Sequence, residues 1–407
     1  MAVKESWAPH DEAADASQFL TRLGYVVLAL AAPVGVVLHS LAIFLFFPIG
    51  VALLTFAAIL DPPGHVGDRL KAVFSAPPVY LSIAWLAWAG VSLLWTPFPN
   101  AGAQHWVEMD AWALALALAL TLTRNHARAT DLYVFPVGQL LLMAAVLIAW
   151  VTYRHGAPAA FERVDAGGLA LATLLFPVMG GLAARARNGY ARLLMILAFI
   201  YAFTIGSSAT MIALFVGLAA LSFALSDLKR TARDLSWVAA GGIALAPVLV
   251  MVAEPLARLT FNAKLAELSA PLPSLAYAFH LVEVDWPRLI TGHGIETVAR
   301  GLSDGALAAE TPKNALFEIW YEFGIVGAWL TAVGVWCVFR ALAKFPPRLA
   351  PYLTAAFACN LALGATRVGF DDMTWVTLLA LTLIASDLAA RSQYRTTRPS
   401  ADRLAHF

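Results

Sequence analysis

Charge is scarce in this sequence. Lys, Arg, Asp and Glu make up 13% of its 407 residues, where an average soluble domain carries about 25%. Cysteine is scarcer still: Cys337 and Cys359 are the only two, both inside apolar runs, which excludes a disulfide framework and a zinc pattern. The formal net charge is +1, so no bulk field favours nucleic acid or an acidic partner. Walker loop, dinucleotide fingerprint and metal-ligand spacing are all missing, and the sequence calls for no metal and no cofactor. No internal repeat stands out, which counts against a secondary transporter built from matching halves. The first 19 residues are polar, with no short apolar core and small-residue cleavage site behind them. The first span is therefore expected to act as its own insertion signal.

What fills the chain instead is apolar sequence, 60% of it, gathered in runs of membrane-spanning length. The runs predict an all-α, polytopic integral membrane protein with about twelve transmembrane helices. They fall at 20–38, 39–60, 78–96, 108–123, 131–152, 166–184, 192–206, 207–226, 235–255, 314–341, 348–365 and 371–390. The break at Gly206-Ser207-Ser208 separates two spans, or else marks one long broken helix. With the N-terminus in the cytoplasm, nineteen of the 27 basic residues fall on the cytoplasmic side, with clusters at Arg185, Arg187 and Arg192 and at Lys229, Arg230 and Arg233. The other eight are Arg154, Arg163, Arg258, Lys264, Arg288, Arg300, Lys313 and Arg367. That asymmetry is what the positive-inside rule requires. The 13 tryptophans fit interfacial belts.

The organisation follows: a transmembrane bundle over 1–255, a periplasmic loop over 256–313, further transmembrane helices over 314–390 and a cytoplasmic tail over 391–407. A loop this long in a compact protein is functional or disordered. Leu275, Tyr277, Phe279, Leu281, Val282 and Trp286 give it apolar anchors, and 274–284 reads as a short amphipathic helix at the membrane surface. Charge concentrates behind it, in Asp285-Trp286-Pro287-Arg288-Leu289-Ile290-Thr291-Gly292-His293-Gly294-Ile295-Glu296 and on to Arg300. A second block runs from Thr311-Pro312-Lys313-Asn314 through Trp320, Glu322, Gly324 and Gly327.

These two blocks, in this order, resemble the signature of the O-antigen ligase and O-antigen polymerase superfamily. In that family a P…G-x-G turn ends the periplasmic loop region and a P-H-N…L…W…E-x-G…G block opens the next span. The segment from Trp88 to Pro97 is similar to the family's span before its first periplasmic loop. The chain departs from the pattern twice: Lys313 stands where the family commonly has His, and Ser208 where it often has Arg. The resemblance implies a metal-independent transferase in the bacterial inner membrane, with its site facing the periplasm. It would move a glycan from undecaprenyl diphosphate to an acceptor sugar: lipid A–core in a ligase, another lipid-linked repeat in a polymerase.

That chemistry dictates the candidate residues. A diphosphate leaving group needs fixed cations, and the planar fork of arginine binds phosphate oxygens in pairs. Arg288 is the leading candidate, against the alternative of an arginine that snorkels and anchors the loop. Lys313 would supply a second charge, or act as a base if burial lowered its pKa; otherwise it is a helix-end lysine facing water. His293, between Gly292 and Gly294, which permit close substrate approach, is the candidate base, or else a turn histidine bonded to backbone. Glu296 and Glu310 are alternative bases. Asn314 orients substrate or caps the helix, and Arg300 is a further binding candidate. Arg154, His155 and Arg163 share a short outer loop, His105 and Glu108 border another, and Asp371-Asp372 open the last span. A polar-glycolipid transporter or flippase would share the hydropathy but should carry ionisable groups deep in its spans. A non-catalytic scaffold would not need Arg, His and Lys beside one glycine turn.

Overall fold

The computed structural model describes residues 12–39, 41–60, 71, 75, 77–122, 131–155, 160–260 and 271–392. The tail beyond 392, positions 261–270 of the long loop, and Lys4, Arg69, Arg124, Arg128, Lys264, Arg395, Arg398 and Arg403 of the charge reading lie outside them. Among the described residues every regular element is helical. Helix α1 (Glu12–Val26) continues through a wider π-turn (Val27–Ala31) into α2 (Ala32–Leu38) as one span. Then come α3 (Ala42–Leu60), α4 (Pro77–Ser92), α5 (Pro99–Leu122), α6 (Val134–Arg154) and α7 (Ala160–Ala184). After these follow α8 (Asn188–Ile205), α9 (Ser208–Ser226), α10 (Leu228–Ala244) and α11 (Ala246–Thr260). Three short helices, α12 (Pro271–Val284), α13 (Arg288–Thr291) and α14 (Thr297–Ser303), precede α15 (Ala315–Leu342), α16 (Ala350–Thr366) and α17 (Met373–Ser392).

Each of the twelve expected segments holds a described helix. Eight described helices are long and apolar enough to cross a membrane, or nine if α10 and α11, bent by 81°, count as one span. The others fall short for visible reasons. α4 has 16 residues and α16 has 17, while α5 carries His105, Glu108 and Asp110 along its length. The break at Gly206 is real: that glycine adopts φ +75° and Ser207 caps α9 by accepting from the Thr210 amide.

α7 is the hub. It is apolar all round and its residues from Leu169 to Phe176 are buried, as expected of a helix surrounded by others rather than by lipid. α6, α8, α16 and α17 pack around it. Outward-facing Leu45, Phe56, Ile148, Phe203, Phe223 and Val248 are exposed, which suits a hydrocarbon solvent and not water.

Two prolines shape the bundle by withholding an amide. Pro33 cannot donate to the Ala29 carbonyl, and the π-turn lies at that point. Gly138 of α6 closes over that carbonyl so tightly that a Cβ there would sit 1.9 Å from it. Likewise Pro247 cannot donate to the Ile243 carbonyl. The chain bends there between α10 and α11, and the Trp320 indole N–H of α15 donates to that oxygen at 2.7 Å.

Candidate active site

The bend at Pro247 opens a cavity of about 710 Å³, within the size range of small-molecule sites. Its apolar walls come from α9 (Ile212), α11 (Leu249, Val250), α12 (Leu275, Leu281), Leu289 and the start of α15 (Leu316, Phe317). Its polar wall comes from two stretches of chain: Asp285, Arg288 and His293 on one side, Lys313, Asn314 and Tyr321 on the other. The expected helix over 274–284 is present as the larger part of α12. It packs along α11 as one wall of the cavity.

A docking of backbone on backbone brings these stretches together. Gly324 interrupts α15 with φ +61° and ψ −157°, so the carbonyls just before it lose their helical partners. The loop takes them over. The amide of His293 donates to the Tyr321 carbonyl at 2.8 Å and that of Gly294 to the Glu322 carbonyl at 2.9 Å. The Trp88 indole of α4 donates to the Phe323 carbonyl at 2.9 Å. The approach needs glycine on both sides. A Cβ on Gly292, at φ +74°, would lie 2.1 Å from the Glu322 oxygen, and one on Gly324 would lie 2.6 Å from the Ile290 oxygen. The G-x-G turn and the E-x-G block are thus the two halves of one joint.

Within it His293 is tightly held. Its ring stacks on Tyr321 at 4.0 Å, and Tyr321 stacks on Phe317. Nδ1 lies 3.0 Å from the Tyr321 carbonyl and Nε2 lies 2.7 Å from the Asp285 carboxylate. Both partners are acceptors only, so a ring carrying two protons satisfies both contacts and a neutral ring only one.

Arg288 and Lys313 are exposed at the cavity rim. Among the described residues neither has an acidic partner within ion-pair distance. Asn314 is the N-cap of α15, its side-chain oxygen accepting from the Phe317 amide at 2.9 Å, so the capping role is realised at the cavity wall.

Five expected site residues lie elsewhere. Gly292 and Gly294 are buried in the joint and position His293 without facing the cavity. Glu296 is buried beneath the loop at φ +68°, with its carboxylate 3.4 Å from His105 Nδ1 and 3.4 Å from Arg300 Nε. Burial pushes its carboxyl above the usual range, while His105 and Arg300 pull it back. Arg300 therefore serves Glu296 and does not reach the cavity. Glu310 is exposed and outside it too.

The remaining outer charges are largely structural. Glu322 accepts from the Val298 amide at the start of α14, and Glu318 accepts from the Phe370 amide. Asp372 caps α17 through the Thr374 and Trp375 amides. Arg367 ties α7 to α9 by binding Asp165 and the Thr210 hydroxyl. Arg154 lies over the Trp150 ring. Sequence reasoning missed Asp285 and Tyr321 as partners of His293. Asp285 sat in the dense charged segment, but a turn, the four-residue α13 and a glycine between it and His293 carry no rule for which side chains meet. Among the described residues no group of three His, Cys, Asp or Glu could hold a metal ion. Family models, curated proteins and solved structures yield no match to this chain.

Proposed function

We propose that this chain is a metal-independent membrane glycosyltransferase that moves a glycan from undecaprenyl diphosphate to a saccharide acceptor, foremost O-antigen to lipid A–core. It would act on the periplasmic face of the bacterial inner membrane. One observation carries the reading: Arg288 and Lys313, two cations without acidic partners among the described residues, stand at the rim of a cavity whose other walls are apolar. An apolar wall suits a polyprenyl chain, and a pair of cations suits the diphosphate at its end. As the glycosidic bond breaks, charge grows on the bridging phosphate oxygen, and cations standing beside it would stabilise that charge. The lysine in place of the family histidine fits a phosphate ligand, since an ammonium is a point charge with three donors and no acceptor.

The experiment is transfer by the purified chain in lipid, given an undecaprenyl-diphosphate glycan and a lipid A–core acceptor. Glycan appearing on lipid A–core supports the ligase assignment. Growth of lipid-linked chains in place of that product moves the assignment to the polymerase of the same superfamily. No transfer with either acceptor refutes glycosyl transfer. Turnover is expected to persist in EDTA, because the charge stabilisation comes from side chains; loss restored by magnesium would overturn that mechanism.

A further inference from the structure

Glycosyl transfer to a hydroxyl needs a base as well as a cation clamp, and the cavity wall narrows the choice. His293 is at the wall, but its two nitrogens already face the Tyr321 carbonyl and the Asp285 carboxylate. Taking a proton from a substrate would require it to give up one of them. Lys313 is cationic by type and exposed, hence solvated. Glu296, Glu310, Glu318 and Glu322 do not line the cavity. Among the described lining residues one carboxylate remains, that of Asp285.

Asp285 is also held as a base should be. It lies just past the end of α12, where its amide donates to Leu281 and its carbonyl accepts from Arg288. Its Oδ2 receives the His293 Nε2 at 2.7 Å, while Oδ1 makes no hydrogen bond among the described residues. The side chain is 40% exposed, open enough for an acceptor sugar to reach. The imidazole that holds it is itself immobilised, by stacking on Tyr321 and by the carbonyl freed at the Gly324 kink.

We propose that the Asp285 carboxylate is the catalytic base of this site and that His293 is its positioning residue. The proposal rests on the glycosyl-transfer reading above. In the step, the acceptor hydroxyl oxygen forms the new bond to the anomeric carbon and its proton passes to Asp285 Oδ1. The bond from that carbon to the diphosphate oxygen breaks, and its electron pair leaves with the diphosphate between Arg288 and Lys313. A geometrically fixed base contributes typically about 10²–10⁴-fold. His293 acts through one hydrogen bond, so it contributes less.

The test uses the full chain in lipid with the same donor and acceptor. Asp285→Asn keeps the shape and the contact to His293, and is expected to lower kcat by about 100-fold or more with the donor KM within about threefold of wild type. Formate is expected to restore turnover to Asp285→Ala, since a small carboxylate can occupy the vacated place; a purely structural aspartate would give no such rescue. His293→Phe keeps the stack on Tyr321 but has no donor. It is expected to lower kcat about tenfold alone, and to add little in the Asp285→Asn background, because residues acting as one unit are not additive. Asp285→Asn with wild-type kcat, while Arg288→Ala is inactive, overturns the base and leaves glycosyl transfer standing. A wild-type chain that transfers no glycan removes the reaction and its base together.

Discussion

Single side chains divide here by whether their charge has a partner. Arg288 has none among the described residues and stands at the cavity rim. If it clamps the diphosphate, Arg288→Ala should lose about 3–4 kcal/mol of transition-state stabilisation, roughly a hundredfold or more in rate. Arg288→Lys should recover part of that, since the charge stays and the two-pronged contact goes. A loop anchor would behave differently: Lys would serve fully, and Ala would lower protein yield more than specific activity. Steady-state turnover of purified, folded variants decides between them. Glu296 is the opposite case, a buried carboxylate with two basic partners whose pKa burial nonetheless raises. Such a group stabilises the fold fully below its unfolded pKa, and that contribution is lost as pH rises through the folded one. Glu296→Gln should therefore gain stability relative to the wild type as pH rises through and above the ordinary carboxylate range. Parallel thermal-unfolding curves for the two proteins across that range would show that Glu296 titrates normally.

At the level of elements, the decisive piece is the joint between the 292–294 turn and the kinked α15. Gly305 has nearly the same φ, +72° against +74°, with nothing near its missing Cβ, while Gly292 combines its φ with ψ 178°, a pairing essentially confined to glycine, and with a close approach. Gly305→Ala should cost only the left-handed backbone, about 1–3 kcal/mol at most. Gly292→Ala adds both a glycine-only ψ and a collision with the Glu322 carbonyl, and should undock the loop. Its melting temperature should fall further, and turnover should fall with it because His293 loses its hold. Equal loss of stability in the two variants would mean that the close approach is not needed. The sequence already carried both halves of this joint as two glycine-bearing blocks. It did not say that they touch, since the hydrogen bonds join residues nearly thirty positions apart and depend on the kink having freed the carbonyls.

For the molecule as a whole, the membrane orientation remains the most consequential inference, since it places the cavity. Native Cys337 and Cys359 would first be replaced. A cysteine at exposed Ser303 should then react with an impermeant maleimide applied to intact spheroplasts, and one at exposed Lys229 should react only after the membrane is opened. Labelling of Lys229→Cys from outside would invert the bundle and put the cavity on the cytoplasmic face. The hub position of α7 was not read from the sequence, where 166–184 is one span among twelve. A run apolar on every side has to be surrounded by other helices or by lipid, and glycine and alanine along α7 favoured close neighbours.

Helix placement and the positions of the charged segments follow from the chain alone, because apolar length and basic asymmetry are properties of local sequence that a bilayer reads directly. The expected count of twelve spans does not, since eight or nine described helices are long and apolar enough to cross. The clustering of Arg288, His293, Lys313 and Asn314 as candidates does follow from the chain, because they adjoin the same glycine-rich and helix-opening signals. Which of them share a cavity was decided only by tertiary structure. Pro247 withholds one amide and bends α10 from α11, Gly324 breaks α15, and the freed carbonyls capture the loop. These events bury Glu296 beneath the loop, with Arg300 reaching it from the exposed side, and bring Asp285 to His293. Hydrophobic burial acts over whole helices and can be summed along a sequence. A hydrogen bond acts over three ångströms, between groups whose meeting depends on the path of all the chain between them.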